Sequence, residues 1–197
     1  TCPNHAGDQM NGYILKPTNF DPSKRYPVVM SQYSGPGSQS VLDKWTIDWE
    51  YYLVSKGFIV ACVDGRGTGG RSRAYETSVY MQLGKLETED QVAGAEYMRT
   101  LPYVDDKHIG IYGWSYGGYE TLMAMSTSNG TYQAGVAIAP VTDWRYYDTI
   151  YAERFMRTPN ENNEGYEQSA PITHAEKLKG DLLIISGTAD DNVHYLN

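Results

Sequence analysis

Ser115 stands between two glycines in the run Gly113-Trp114-Ser115-Tyr116-Gly117-Gly118. The residues before it, His108–Tyr112, are short, apolar and β-branched and read as a buried strand. Those after it, Tyr119–Ser126, carry strong helix formers and read as a helix. A serine between glycines on a strand-to-helix turn is the nucleophile-elbow pattern G-x-S-x-G. The glycines at 113 and 117 leave room for a tight backbone that lifts the hydroxyl clear of the sheet. The N–H of Tyr116 then faces the same spot as half of an oxyanion hole. Such a serine supports acyl transfer, provided that a base takes its proton and an acid orients the base. An acid is on offer in Thr188–Asn192, just past an apolar run, where Asp190 and Asp191 are both candidates. Over those five residues alone, a solvated acidic turn would look the same.

The base is harder to find. His5 lies near a terminus, His108 precedes the elbow strand and belongs at the opposite end of the sheet, and His174 follows Pro171 in a loop. His194 would have to reach Ser115 while taking its orienting acid from its own turn. In the usual order of serine, acid and histidine, the base comes on a separate, later loop. The sequence therefore predicts no base among these four. One more strand, a covering helix and a histidine-bearing loop are expected after Asn197.

These groups need a scaffold that gathers them. Asn11–Lys16 alternates weakly and predicts an edge strand; Tyr26–Tyr33 predicts a central strand with Pro27 at its start, where no ladder N–H is needed. Leu42, Trp45, Trp49, Tyr52 and Leu53 fall at helical spacing, so Leu42–Lys56 predicts a helix ended by Gly57. Phe58–Val63 is a second buried strand, followed by a glycine- and arginine-rich loop over Asp64–Tyr75. Glu87–Thr100 predicts a helix capped by Thr88. Past the elbow come a strand at Ala134–Ala139, a helix at Trp144–Met156, a polar loop at Thr158–Gln168 and a last strand at Leu182–Ser186. Strands and helices alternate, so the fold class is α/β, a mostly parallel sheet with helices on both faces. Ligands in such sheets bind beyond the C-terminal strand ends. The loops starting near Tyr33, Asp64, Ser115, Pro140 and Gly187 should share that rim.

Composition narrows the function classes. At 197 residues the chain is long enough for one domain with a full core. The 24 acidic against 16 basic residues give a net charge of −8, which disfavours nucleic acid or an anionic membrane as partner. No apolar stretch is long enough to span a membrane, and no signal peptide is visible. Cys2 in an irregular terminus and Cys62 in a buried strand suggest neither a disulfide framework nor a metal site. Asn129-Gly130-Thr131 matches a glycosylation acceptor, as isolated tripeptides do by chance. Gly65–Gly70 fits G-x-G-x-x-G, but no helix opens at its third glycine and no acid ends a following strand, so a flexible loop near the rim is expected rather than a dinucleotide site. Trp144, Tyr147 and Tyr151 lie on one face if their segment is helical. They predict either core packing or an aromatic box for a flat apolar ring such as proline.

Gly113–Tyr119, Thr188–His194 and Ala139–Asp148 together resemble the catalytic domain of the dipeptidyl peptidase IV branch of the prolyl oligopeptidase family. Gln32–Pro36 and Val63–Thr68 fit it as well, so the likeness covers nearly the whole chain. It implies an α/β-hydrolase fold, here without its last strand and helix, and a partial catalytic domain over residues 1–197 with the family's N-terminal β-propeller absent. It also implies roles: Ser115 as nucleophile, Asp190 as the triad acid, and the Tyr33 hydroxyl beside the Tyr116 N–H as oxyanion donors. Tyr116, Val141, Trp144, Tyr147, Tyr151 and Val193 would wall a proline pocket, and Asn192 would hold a substrate carbonyl. The expected reaction is release of N-terminal dipeptides after a penultimate proline or alanine, without metal or cofactor, by a parent that is a homodimer in the periplasm or secreted. A tripeptidyl or oligopeptidyl peptidase of the family, or a non-catalytic interaction module, are the alternatives. Gly37 replaces a cysteine of the family's Gly-Pro-Cys loop, so no disulfide is expected there.

Overall fold

The computed structural model describes residues 1–197 and builds one seven-stranded sheet. Its order is β1 (Cys2–Pro3), β2 (Gln9–Leu15), β4 (Ile59–Asp64), β3 (Tyr26–Ser31), β5 (Val104–Trp114), β6 (Ala134–Ile138) and β7 (Asp181–Ile185). Strands β3 to β7 are parallel, and β2 joins β4 and β1 antiparallel. All six residues of β4 are buried: Ile59–Val63 as an unbroken apolar run requires, and Asp64 with its carboxylate accepting from the Ser40 and Val41 N–H groups. The C-terminal ends of the parallel strands share one rim, where the loops after Ser31, Asp64, Trp114, Ile138 and Ile185 emerge. No helix is long and apolar enough to cross a membrane.

The helices are α1 (Glu50–Ser55), α2 (Arg73–Thr77), α3 (Lys85–Arg99), α4 (Tyr116–Thr127), α5 (Thr149–Met156) and α6 (Asn163–Gln168). Helices α3 and α4 bury Ala93, Ala95, Met98, Ala124 and Met125 against Val28, Met30, Ile59, Ala61, Ile109 and Ile111, which form the main core. The opposite face is covered more thinly. Trp49, just before α1, packs edge-on against Tyr112 of β5 at 4.3 Å, while Trp114 and Leu183 are exposed.

Several expectations are corrected. Strand β2 is not an edge, because Cys2–Pro3 pairs outside it, and Cys2 is buried there rather than irregular. The helix expected from Leu42 begins only at Glu50: Leu42 and Trp45 are 45% and 81% exposed, so their spacing finds no surface to pack on. Helix α3 starts at Lys85 behind a left-handed Gly84, and Thr88 lies inside it, bonding back to the Gly84 carbonyl. The Trp144–Met156 segment is two pieces, a 3₁₀ turn at Trp144–Tyr146 and then α5. Asp148 restarts the helix by accepting the Tyr151 N–H. The stretch expected as a polar loop contains α6. The arginine-rich loop contains α2, capped by Ser72, and is pinned rather than flexible: Arg66 makes a fork of bonds to the fully buried Asp90, and Gly37 donates to the Gly67 carbonyl.

Candidate active site

Ser115 sits between the end of β5 and the start of α4 at φ 59° and ψ −115°. A non-glycine residue adopts such a backbone only where its surroundings over-determine it. Here the Ser115 N–H donates to the Ile138 carbonyl of β6 at 2.8 Å, and its carbonyl accepts from Tyr119 at 3.0 Å. The flanking glycines are required by contact. A Cβ on Gly113 would fall 2.2 Å from the Gly117 carbonyl oxygen, one on Gly117 2.5 Å from that of Gln32, and one on Gly118 2.5 Å from that of Ile138. Tyr116 is the first residue of α4, so its N–H has no carbonyl one turn back and is free to donate.

Tyr33 follows β3 and lies beside this turn, its ring 6.1 Å from that of Tyr116. A Cβ on Gly35 would meet Tyr33 Cε1 at 2.5 Å, so the glycine makes room for the phenol. A buried polar network supports the segment. Gln32 Nε2 donates to the Gly117 carbonyl at 2.8 Å, Ser34 Oγ donates to Gln32 Oε1, and Gln91 Nε2 reaches Ser34 Oγ and the Val63 carbonyl. Ser34 is held at φ 64° within it. Sequence reading assigned no role to Gln32, Ser34 or Gln91. The available signal was Gln32, an amide in a strand read as central; Ser34 read as loop and Gln91 as an ordinary helix residue.

The aromatic residues meet although they do not share one helix. Trp144 is buried, stacks on Tyr151 at 5.7 Å and meets Tyr147 edge-on at 5.9 Å. Val141, Val193, Tyr116 and Trp144 belong to one buried cluster, with Tyr147 and Tyr151 half-buried against it. Core packing therefore accounts for Trp144, which is also the floor on which the two half-buried tyrosines stand. Burial raises the Tyr147 and Tyr151 phenols, and the Tyr33 hydroxyl adds to both, so the three phenols share one neighbourhood. Tyr147 also feels Asp190 and donates to Asn192 Oδ1 at 3.0 Å. That leaves the Asn192 Nδ2 hydrogens free for another acceptor.

Asp190 uses Oδ1 to accept from the N–H groups of Asn192 and Val193, which closes its turn and leaves Oδ2 available. Asp191 makes no such turn bonds. Of the histidines, His5 contacts Glu96, His108 contacts Asp105 and His174 contacts the Gln168 carbonyl, while the His194 ring makes no hydrogen bond. None is bonded to Ser115 or Asp190.

The sequence pattern of the prolyl oligopeptidase family matches residues 45–197. The chain belongs to the prolyl oligopeptidase family. It is 45% identical to a probable dipeptidyl-aminopeptidase B of Metarhizium robertsii over 195 residues, covering 97% of this chain and 21% of that protein. Against the protein of the same name from Ajellomyces dermatitidis it is 48% identical over 186 residues, covering 92% and 20%. The crystal structure of Porphyromonas gingivalis dipeptidyl peptidase 4 superposes with a TM-score of 0.97 at 57% identity, over all of this chain and 28% of that one. A putative dipeptidyl aminopeptidase IV of Bacteroides ovatus gives 0.93 at 41%, over 96% and 27%. This member of the prolyl oligopeptidase family therefore has the α/β-hydrolase fold of these peptidases. It spans about a fifth of the curated relatives' length and just over a quarter of the solved chains.

Proposed function

We propose that this chain is the nucleophile- and acid-bearing part of a serine dipeptidyl aminopeptidase that releases N-terminal dipeptides after a penultimate proline or alanine. The observation that carries the reading is the strained Ser115 at the sheet rim, with the Tyr33 phenol and a Trp144–Tyr147–Tyr151 box beside it. The names of the similar proteins support the dipeptidyl rule.

In this mechanism Ser115 Oγ attacks the carbonyl carbon of the residue in the box while its proton passes to an imidazole. The oxyanion takes hydrogen bonds from the Tyr116 N–H and the Tyr33 hydroxyl. The imidazole then protonates the departing amine, and water, deprotonated by the same base, releases the dipeptide from the acyl-enzyme. Asp190 Oδ2 would accept from that imidazole and fix its tautomer. We assign that imidazole to none of the four histidines, none of which is bonded to Ser115 or Asp190.

The test is turnover of a glycyl-prolyl chromogenic substrate by the full-length protein, with labelling by a fluorophosphonate. Both should vanish in Ser115→Ala. Turnover that survives this change, or a wild-type protein that takes neither substrate nor label, would overturn the proposal.

A further inference from the structure

We propose that Glu87 is a positioning residue for the substrate pocket: from the first turn of α3 it holds the Tyr116 ring as a fixed wall and so sets the preference for proline over alanine. The inference rests on the peptidase reading above. Tyr116 Oη donates to Glu87 Oε1 at 2.7 Å, and the two residues are 3% and 1% exposed. Because Tyr116 directly follows Ser115, its backbone is set by the elbow and its remaining freedom is ring rotation. The ring lies against Tyr33, Tyr119 and Trp144, with centroids 5.1 to 6.1 Å away. Such contacts tolerate tilting; a hydrogen bond at the far end of the ring does not.

A carboxyl is a costly choice at this position. The groups that face it are Tyr116, Tyr119 and Glu120 of α4, Asp90 of α3, and Tyr151 of α5. None is a cation, and the nearby Arg66 is engaged with Asp90 and Glu89. Glu87 Oε2 has no partner. An apolar side chain would avoid the unpaired Oε2 but would strand the buried Tyr116 hydroxyl, whose acceptor is Glu87 Oε1. The N–H groups of Gly84 and Glu87 at the start of α3 favour the charged form and offset part of that cost. A carboxyl can meet such N–H groups from the surface; this one is sunk in the core, where its side-chain partner is Tyr116.

A proline ring held in the pocket would touch this wall, which an alanine methyl would scarcely reach. A loosened wall therefore costs proline more. Full-length Glu87→Ala and Tyr116→Phe, each removing the bond from one side, should lower the proline-to-alanine ratio of kcat/KM about tenfold. The double variant should fall no further than the worse single one, because both cut the same link. Glu87→Gln keeps an acceptor and should restore the ratio to within about threefold of wild type. An unchanged ratio in Tyr116→Phe, which leaves Glu87 in place, overturns the proposal even if Glu87→Ala does not fold. So does a double variant whose losses multiply. A wild-type protein without prolyl turnover would instead refute the underlying peptidase reading, which separates the two failures.

Discussion

A backbone at φ 59° is affordable for Ser115 because three glycines and one inter-strand bond leave no other arrangement. The same economy places Tyr33. Gly35 opens the space for its ring, and the Gln32–Ser34–Gln91 network fixes the chain on either side of it. If its phenol donates to the oxyanion, Tyr33→Phe should lower kcat on the order of a hundredfold and change KM little, the usual cost of one oxyanion donor. Steady-state kinetics with near-normal kcat would remove Tyr33 from that role. Glu87 makes a separate prediction about stability. Burial pushes its carboxyl from an ordinary 4.5 up to about 7. A raised acid stabilises the fold fully below about pH 4.5, and that contribution is lost as pH climbs through 7. Relative to wild type, Glu87→Gln should therefore gain stability between about pH 4.5 and pH 8, by on the order of 3 kcal/mol. Denaturant unfolding across that range measures it, and a constant difference would contradict it.

At the scale of elements, the cluster of Trp144, Tyr147 and Tyr151 shows how two segments can assemble what periodicity assigned to one helix. Tyr147 is extended, between the 3₁₀ turn and α5, so it stands edge-on to both Trp144 and Tyr151. Its half-burial and its bond to exposed Asn192 place it at the surface of the cluster, whereas Trp144 is inside. Tyr147→Ala should therefore impair cleavage after proline with the melting temperature largely kept. Trp144→Ala should cost roughly 3–5 kcal/mol of stability, the scale for truncating a buried aromatic. Large loss of melting temperature in Tyr147→Ala with unchanged specificity would make the whole box core. The parallel strands were legible in the sequence because buried strands are apolar without interruption, as Ile59–Val63 is. The elbow was legible because its backbone demands glycine at fixed places. Helix limits were less so: apolar spacing at Leu42–Trp49 says nothing about whether a surface exists to receive it, and the cap at Asp148 competes with a continuous helix. Glu87 and Gln91 were invisible as supports, since a polar residue in a helix reads as solvent-facing until the neighbouring helix is known.

For the molecule as a whole, two features decide how the 197 residues behave by themselves. The first is chemical. Ser115 is a weak nucleophile without a base, and three of the four imidazoles are engaged with Glu96, Asp105 and the Gln168 carbonyl. Without a triad member, only binding and the oxyanion hole remain to accelerate hydrolysis. The second is mechanical. Strand β7 pairs with β6 alone, and Leu183, Ile184 and Ile185 are 55%, 51% and 44% exposed along it. An apolar strand with one open edge is a template for another copy of itself. We therefore predict that residues 1–197 lack triad-level peptidase activity and associate through β7 as concentration rises. Sedimentation of the purified chain should show dimers or larger species, and Ile184→Lys, which puts a charge on the exposed strand, should shift them toward monomer. Assay against a glycyl-prolyl chromogenic substrate, with Ser115→Ala as control, should show no serine-dependent turnover. Serine-dependent turnover near the full-length rate would refute the first half and make His194, on the Asp190 turn with its ring unbonded, the leading candidate for the base. A monomer at every concentration would refute the second.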